Sequence, residues 1–137
     1  MDLKYFTLKE ANSTLPLVNS ICLDAMKYWE KLKEVDSKLN VLLTKTLNGG
    51  EKDKDIVEKL TEEANISYDK LQEAANELND IGVFFLDPND FTVGFATIIN
   101  NQTTMFIYKY GEDNEINFYR NPNIPSELIS VKTNEKI

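Results

Sequence analysis

The 137-residue chain has no histidine, one cysteine (Cys22), one tryptophan (Trp29) and one arginine (Arg120). Without histidine there is no Ser-His-Asp or Cys-His nucleophile pair, no imidazole proton shuttle and no His-ligated zinc. A lone cysteine makes neither an internal disulfide nor a thiolate cage, so nothing marks an oxidising compartment. No apolar run approaches the ~20 residues that span a bilayer. The start, Met1-Asp2-Leu3-Lys4-Tyr5-Phe6, has neither the basic nor the apolar region of a secretion signal. Positive charge is scarce as well. Fifteen Lys+Arg face 23 Asp+Glu, for a formal charge of −8 and a pI near 4.6. The imbalance is even along the chain, with 11 basic and 16 acidic residues in 1–82, and 4 and 7 in 83–137. Nucleic-acid binders are normally basic, so this acidity speaks for solubility and against such a partner. The expectation is an acidic cytoplasmic protein that binds neither nucleic acid nor membrane and carries no cofactor.

What is present begins with helix signals. Thr7-Leu8-Lys9-Glu10 has the spacing of a capping box, and Phe6 and Ala11 stand where a hydrophobic staple packs. Pro16 lacks an amide hydrogen and disfavours a helical Leu15, which predicts a short helix over 8–14 and a long one from Pro16 to about Leu47. One continuous kinked helix is the alternative. In the long helix Leu15, Val18, Cys22, Ala25, Trp29, Leu32, Asp36, Leu39 and Leu43 recur at steps of three and four, the seam of a coiled coil. A second helix, from about Asp53 to Ile81, repeats it through Val57, Leu60, Ala64, Ser67, Leu71, Ala74, Leu78 and Ile81, with Gly82 as its cap. Folding the seams together at Asn48-Gly49-Gly50 sets Leu43 against Leu60, Asp36 against Ser67 and Cys22 against Ile81. The two polar members then meet, as a register device. A further stripe, Ile21, Tyr28, Val35 and Leu42, widens the apolar face beyond a two-helix seam.

After Gly82 the period changes from helical to alternating. Strands are expected at 83–86, 91–99, 104–110 and 116–119, turned at Asp87-Pro88-Asn89-Asp90, Asn100-Asn101-Gln102 and Gly111-Glu112-Asp113-Asn114. The fold class is therefore α+β: a long antiparallel, coiled-coil-like helical hairpin followed by a small antiparallel sheet of three or four strands. Residues 1–121 form one domain, with the hairpin at 7–82 and the sheet at 83–120, and residues 122–137 form an arm and a frayed tail. An eight-residue strand spans only ~27 Å, whereas a helix over 15–47 extends ~50 Å. A sheet that short leaves most of the wide apolar stripe uncovered, which predicts a homodimer joined along the helices.

The run Phe6-Thr7-Leu8-Lys9-Glu10-Ala11-Asn12-Ser13-Thr14-Leu15-Pro16-Leu17-Val18 resembles the opening signature of the bacterial domain-of-unknown-function family 2203. The layout is similar too, with two long helices, the Gly82-Val83 step, and strands with a Gly111-Glu112 turn. The resemblance covers roughly residues 5–121 and implies no activity. Members typically carry an aspartate in the second strand and an aromatic-histidine pair in the last. Matched by the Gly-Val step, those positions are Gly94 and Tyr119-Arg120 in this chain.

Two functions from different classes follow. The first is a non-enzymatic, self-associating interaction or scaffold module, with a possible protein partner. The alternative is a small-molecule (anion) binding or enzymatic head on the sheet, where Tyr108, Tyr110, Tyr119 and Arg120 line a pocket and Arg120 anchors the anion. The plainer account has the tyrosines half-exposed on the sheet and Arg120 paired with a surface carboxylate. Asp87, Asp90, Glu112, Asp113 and Glu115 are oxygen-rich, but they lack EF-hand spacing and fit turn residues better than a cation site.

Overall fold

The computed structural model describes residues 3–46, 52–112 and 114–133. Two helices come first, α1 (Leu8–Thr46) and α2 (Lys52–Asp80). Five strands follow: β1 (Val83–Asp87), β2 (Thr92–Ile99), β3 (Gln102–Lys109), β4 (Phe118–Arg120) and β5 (Leu128–Ser130). The fold is α+β as expected, with five strands rather than three or four. The additional strand, β5, arises inside the segment expected to fray. Two compact units are distinguishable, one made of Met1–Cys22 with Ala75–Ile137 and the other of Leu23–Ala74. The first holds the sheet and the helix ends that pack on it; the second is purely helical.

The capping box forms as the spacing requires. The Thr7 amide donates to Glu10 Oε1 at 3.3 Å and the Glu10 amide donates to Thr7 Oγ1 at 3.1 Å. Phe6 and Ala11, the staple pair, are both buried. The break expected at Pro16 does not occur, and α1 runs through it without interruption. An interior proline costs ~3 kcal/mol. Burial of Ala11, Leu15 and Val18 on both sides of it holds the helix together, while the ring itself lies exposed. Helix α2 stops where the sequence says it should. Gly82 takes a φ of +86° and its amide donates to the Asn79 carbonyl at 3.0 Å, closing the last turn.

The helical register differs from the expected one. Two contacts, one in each unit, show it. In the helical unit, Lys31 Nζ and Glu63 Oε2 lie 4.0 Å apart. The expected pairing sets residue 31 against residue 72, nine residues or ~13 Å away along the axis, beyond what the two side chains bridge. In the sheet unit, a Cβ on Gly82 would stand 3.0 Å from Lys4 Cβ, so the end of α2 meets the segment before α1 rather than residues near Cys22. The Asn48-Gly49-Gly50 turn lies outside the described residues. The seam of α1 also rotates. Leu15, Val18, Cys22 and Ala25 are buried as expected, but farther along Val35 is 1% exposed while Asp36 lies in solvent and Leu43 is 51% exposed. One residue of helix turns the side chain by ~100°, so the buried line along α1 changes face between Ala25 and Val35. Ser67 is buried on the other seam without Asp36 opposite. Of the stripe beside the seam, Ile21 and Val35 are buried, and Tyr28 and Leu42 half-buried.

The sheet is a plain antiparallel meander in the order β1-β2-β3-β4-β5. Its central hairpin pairs Ile99 with Gln102 across Asn100 and Asn101, whose φ values of 53° and 64° are those of a type I′ turn. The register assigns each side chain to a face. Val83, Phe95, Phe106 and Tyr119 lie in one row across the strands, with Val93 and Tyr108 beside them. All six are buried, and this inner face meets α1. The Tyr108 hydroxyl donates to Asn19 Oδ1 at 2.7 Å and the Ile116 amide donates to Asn12 Oδ1 at 2.8 Å. Asn12 and Asn19 are seven residues apart and so present one side of the helix.

With Asp36 exposed and Ser67 buried, the substitutions Asp36→Leu and Ser67→Leu are expected to act independently. Ser67→Leu overpacks the seam, at roughly 1–3 kcal/mol. In a denaturant double-mutant cycle the two effects should add within ~0.5 kcal/mol, and a larger coupling would restore the polar pair.

Candidate functional site

The outer face of the sheet carries the other half of the alternation. Phe84 and Gly94 are paired, as are Ala96 and Met105, and Ile107 and Phe118, and Arg120 follows two residues after Phe118. These residues therefore share one surface, opposite the helices. Over Gly94 the surface is already filled, since a Cβ there would approach Met105 Sδ to 2.9 Å and Leu86 Cδ1 to 3.0 Å.

A cleft of about 290 Å³ opens on this outer face. Ala96 and Met105 form its floor, and Leu3 and Phe84 stand along one side. Arg120, Pro122 and Pro125 form the other side. That second wall is a built loop. The Asn121 amide donates to the Glu127 carbonyl at 2.8 Å, and Asn121 Oδ1 accepts from the amides of Asn123 at 2.9 Å and Ile124 at 3.3 Å. Such side-chain-to-backbone bonds mimic a turn and fix its course. The Arg120 carbonyl accepts the Thr104 hydroxyl, which secures the start of the loop to β3. Arg120 is half-buried, and among the described residues no carboxylate lies within 4.0 Å of its guanidinium. A second cleft of about 270 Å³ is bordered by both Lys4 and Asp80 and so offers no single sign of charge.

The four residues singled out from the sequence do not converge. Tyr108 and Tyr119 are buried on the inner face, Tyr108 bonded to Asn19. Tyr110 is half-buried, with its ring 6.5 Å from that of Phe91. Only Arg120 borders the cleft. Six apolar residues join it there with Thr103, Thr104 and Asn121, none of them in a motif that announces a site. The acidic turns are explained by local bonding. Asp87 Oδ1 accepts the Asn89 amide at 2.9 Å and Asp90 Oδ1 accepts the Thr92 hydroxyl at 2.5 Å. Asp113 lies outside the described residues, and among those described no three acidic or cysteine side chains gather as a metal site.

A family model described as an uncharacterized conserved protein, domain of unknown function 2203, matches residues 4–124. The chain belongs to that family. No curated protein and no solved structure matches it. Membership in family 2203 brings no activity with it. It does give the two aligned positions a place, because Gly94 and Arg120 both belong to the outer face, with Met105 between them beside each. No described helix is long and apolar enough to cross a membrane.

Cys22, the one nucleophile of note, lies on the helical side and is buried, and burial pushes its thiol from 9.0 up to about 11. The thiolate is the reactive form. Near pH 8 the folded protein should therefore resist iodoacetamide and react fully only in denaturant, and rapid native labelling would show the seam to be open. The folded pKa exceeds the unfolded one, so this contribution to stability is complete below pH 9 and is lost as pH rises toward 11. Denaturant titrations of Cys22→Ala should lack that part of the alkaline decline.

Proposed function

We propose that the protein is a non-catalytic binding module that works through the outer face of its sheet, with Arg120 holding an anionic group of what it binds. The observation that carries this is the pairing state of Arg120. Arg120 is half-buried at the edge of the cleft, and no described carboxylate lies within 4.0 Å of its guanidinium. Guanidinium groups form their strongest bonds with planar anions, two parallel N–H donors to two oxygens. No carboxylate, cysteine or metal cluster accompanies Arg120 among the described residues that border the cleft, so nothing there activates the Thr103 or Thr104 hydroxyl and binding rather than turnover fits the chemistry.

A panel of small anions tested by thermal shift addresses this reading. A ligand at a hundred times its Kd adds about 2.7 kcal/mol, which for a chain of this size raises Tm by roughly 10 °C. At least one anion class should raise Tm, and Arg120→Ala should abolish the shift while melting close to the wild type without ligand. A panel that moves neither protein would refute it.

Self-association along the helices is the second reading. Its support is the set of exposed apolar residues on the helices, Leu17, Leu23, Val41 and Leu43 on α1 and Ile56, Ile66 and Tyr68 on α2, the last 61% exposed. Light scattering across a concentration series distinguishes the cases: a dimer mass that Ile66→Glu with Tyr68→Glu reduces to a monomer supports it, and a constant monomer mass removes it.

A further inference from the structure

We infer that the outer-face cleft is a site for a small amphipathic carboxylate, a short hydrocarbon chain ending in one carboxylate group. The inference rests on the binding reading above and names its ligand class. Size comes first. At about 290 Å³ the cleft is at the lower end of small-ligand sites, and a nucleotide or dinucleotide does not fit. The lining comes second. Leu3, Phe84, Ala96, Met105 and Pro122 make the floor and walls predominantly apolar, with Thr103, Thr104 and Asn121 as neutral polar members, which favours a hydrocarbon body. The charge comes third. Arg120 is the single cation bordering the cleft, on a chain of net charge −8. One guanidinium matches one carboxylate in charge and in its two-oxygen geometry. A phosphate of nearly two charges is better matched by two cations, and the lining supplies one, its other polar members, Thr103, Thr104 and Asn121, being neutral.

A free small molecule fits better than a peptide terminus bearing the same group. The cleft lies over the face of β2 and β3, whose backbone groups are already paired in the ladder from Thr92–Lys109 to Ile99–Gln102. An added peptide strand takes its affinity from main-chain bonds along an open sheet edge, and the face offers none. The loop that carries Pro122 and Pro125 is fixed by its own hydrogen bonds, so the wall is in place before the ligand arrives.

The test is NMR titration of the full chain with sodium octanoate, 1-octanol and inorganic phosphate, following the Arg120 side-chain N–H and the amides of Ala96 and Met105. Octanoate should move all three groups in a saturable way, and octanol, which lacks the charge, should bind about ten- to a hundredfold more weakly, the usual worth of a charge-assisted bond. Arg120→Ala should lose octanoate affinity by a similar factor. Arg120→Lys should recover only part, because an ammonium keeps the charge without the fork. Equal binding of octanoate and octanol overturns the inference, as does octanoate binding that Arg120→Ala leaves intact. Phosphate alone moving Arg120 overturns the ligand class but leaves the anion-binding reading standing. An Arg120 resonance that neither anion moves overturns both.

Discussion

Phe6 commits both of its backbone polar groups to β2. Its amide donates to the Ala96 carbonyl at 2.7 Å and its carbonyl accepts the Thr97 hydroxyl at 2.7 Å, while its ring meets Phe95 edge-on at 5.1 Å. This happens where the sheet needs it. Strand β1 reaches β2 only as far as the Val83–Phe95 pair, so the last residues of β2 would otherwise present an open edge. The N-terminal segment covers that edge, and the next residue, Thr7, begins the capping box. The origin of α1 is thus tied to the middle of the sheet. Asn12 and Asn19 then come into place under Ile116 and Tyr108, and the inner face of the sheet is the one that α1 buries.

That choice leaves the opposite face with little to cover it. The outer row is nevertheless largely apolar between Thr103, Lys109 and Arg120, and a sheet with one face in the core normally alternates to polar on the other. Here the alternation is between two apolar sets, with Phe84, Ala96, Met105, Ile107 and Phe118 outside. Among the described residues, Leu3 and the loop after Arg120 lean over it from opposite sides, and the cleft is the space between them. The site is in this sense a remainder of the fold: the same segment that anchors α1 through Phe6 contributes Leu3 to the wall.

Features governed by local chemistry were legible in the sequence. The Thr7–Glu10 box, the Gly82 cap and the Asn100-Asn101 turn each depend on a few neighbouring residues whose conformational needs are specific. The helical register was not legible. A seam of threes and fours looks the same after a slide of one heptad, and matching Asp36 to Ser67 selected a register for a pair that does not exist. Strand β5 escaped because Leu128-Ile129-Ser130 is three residues long and follows two prolines. The site residues were partly recoverable. Tyr119 and Arg120 are adjacent in one strand, so a period of two places them on opposite faces, and Tyr108 shares a face with the first and not the second. Alternation alone would have separated the tyrosines from the arginine. What it would not have supplied is the wall of the cleft, since Leu3 and Pro122 reach it from the two ends of the chain.

The net charge of −8 bears on what such a site is able to do. An acidic protein repels anions at distances shorter than the Debye length of ~8 Å at physiological salt and gains nothing from long-range steering toward them. On the proposed reading, capture therefore depends on contact. A guanidinium at the wall of a largely apolar cleft, on a half-buried residue, interacts with an anion in a medium of lower effective dielectric, where the same pair is worth more than at an exposed surface. It also excludes ions that bring only charge, because these lose hydration and gain a single partner. An anion with an apolar body recovers that loss by burying the body on the floor of Ala96 and Met105. Selectivity in this arrangement comes from joining a single cation to an apolar surface on a protein that otherwise turns anions away.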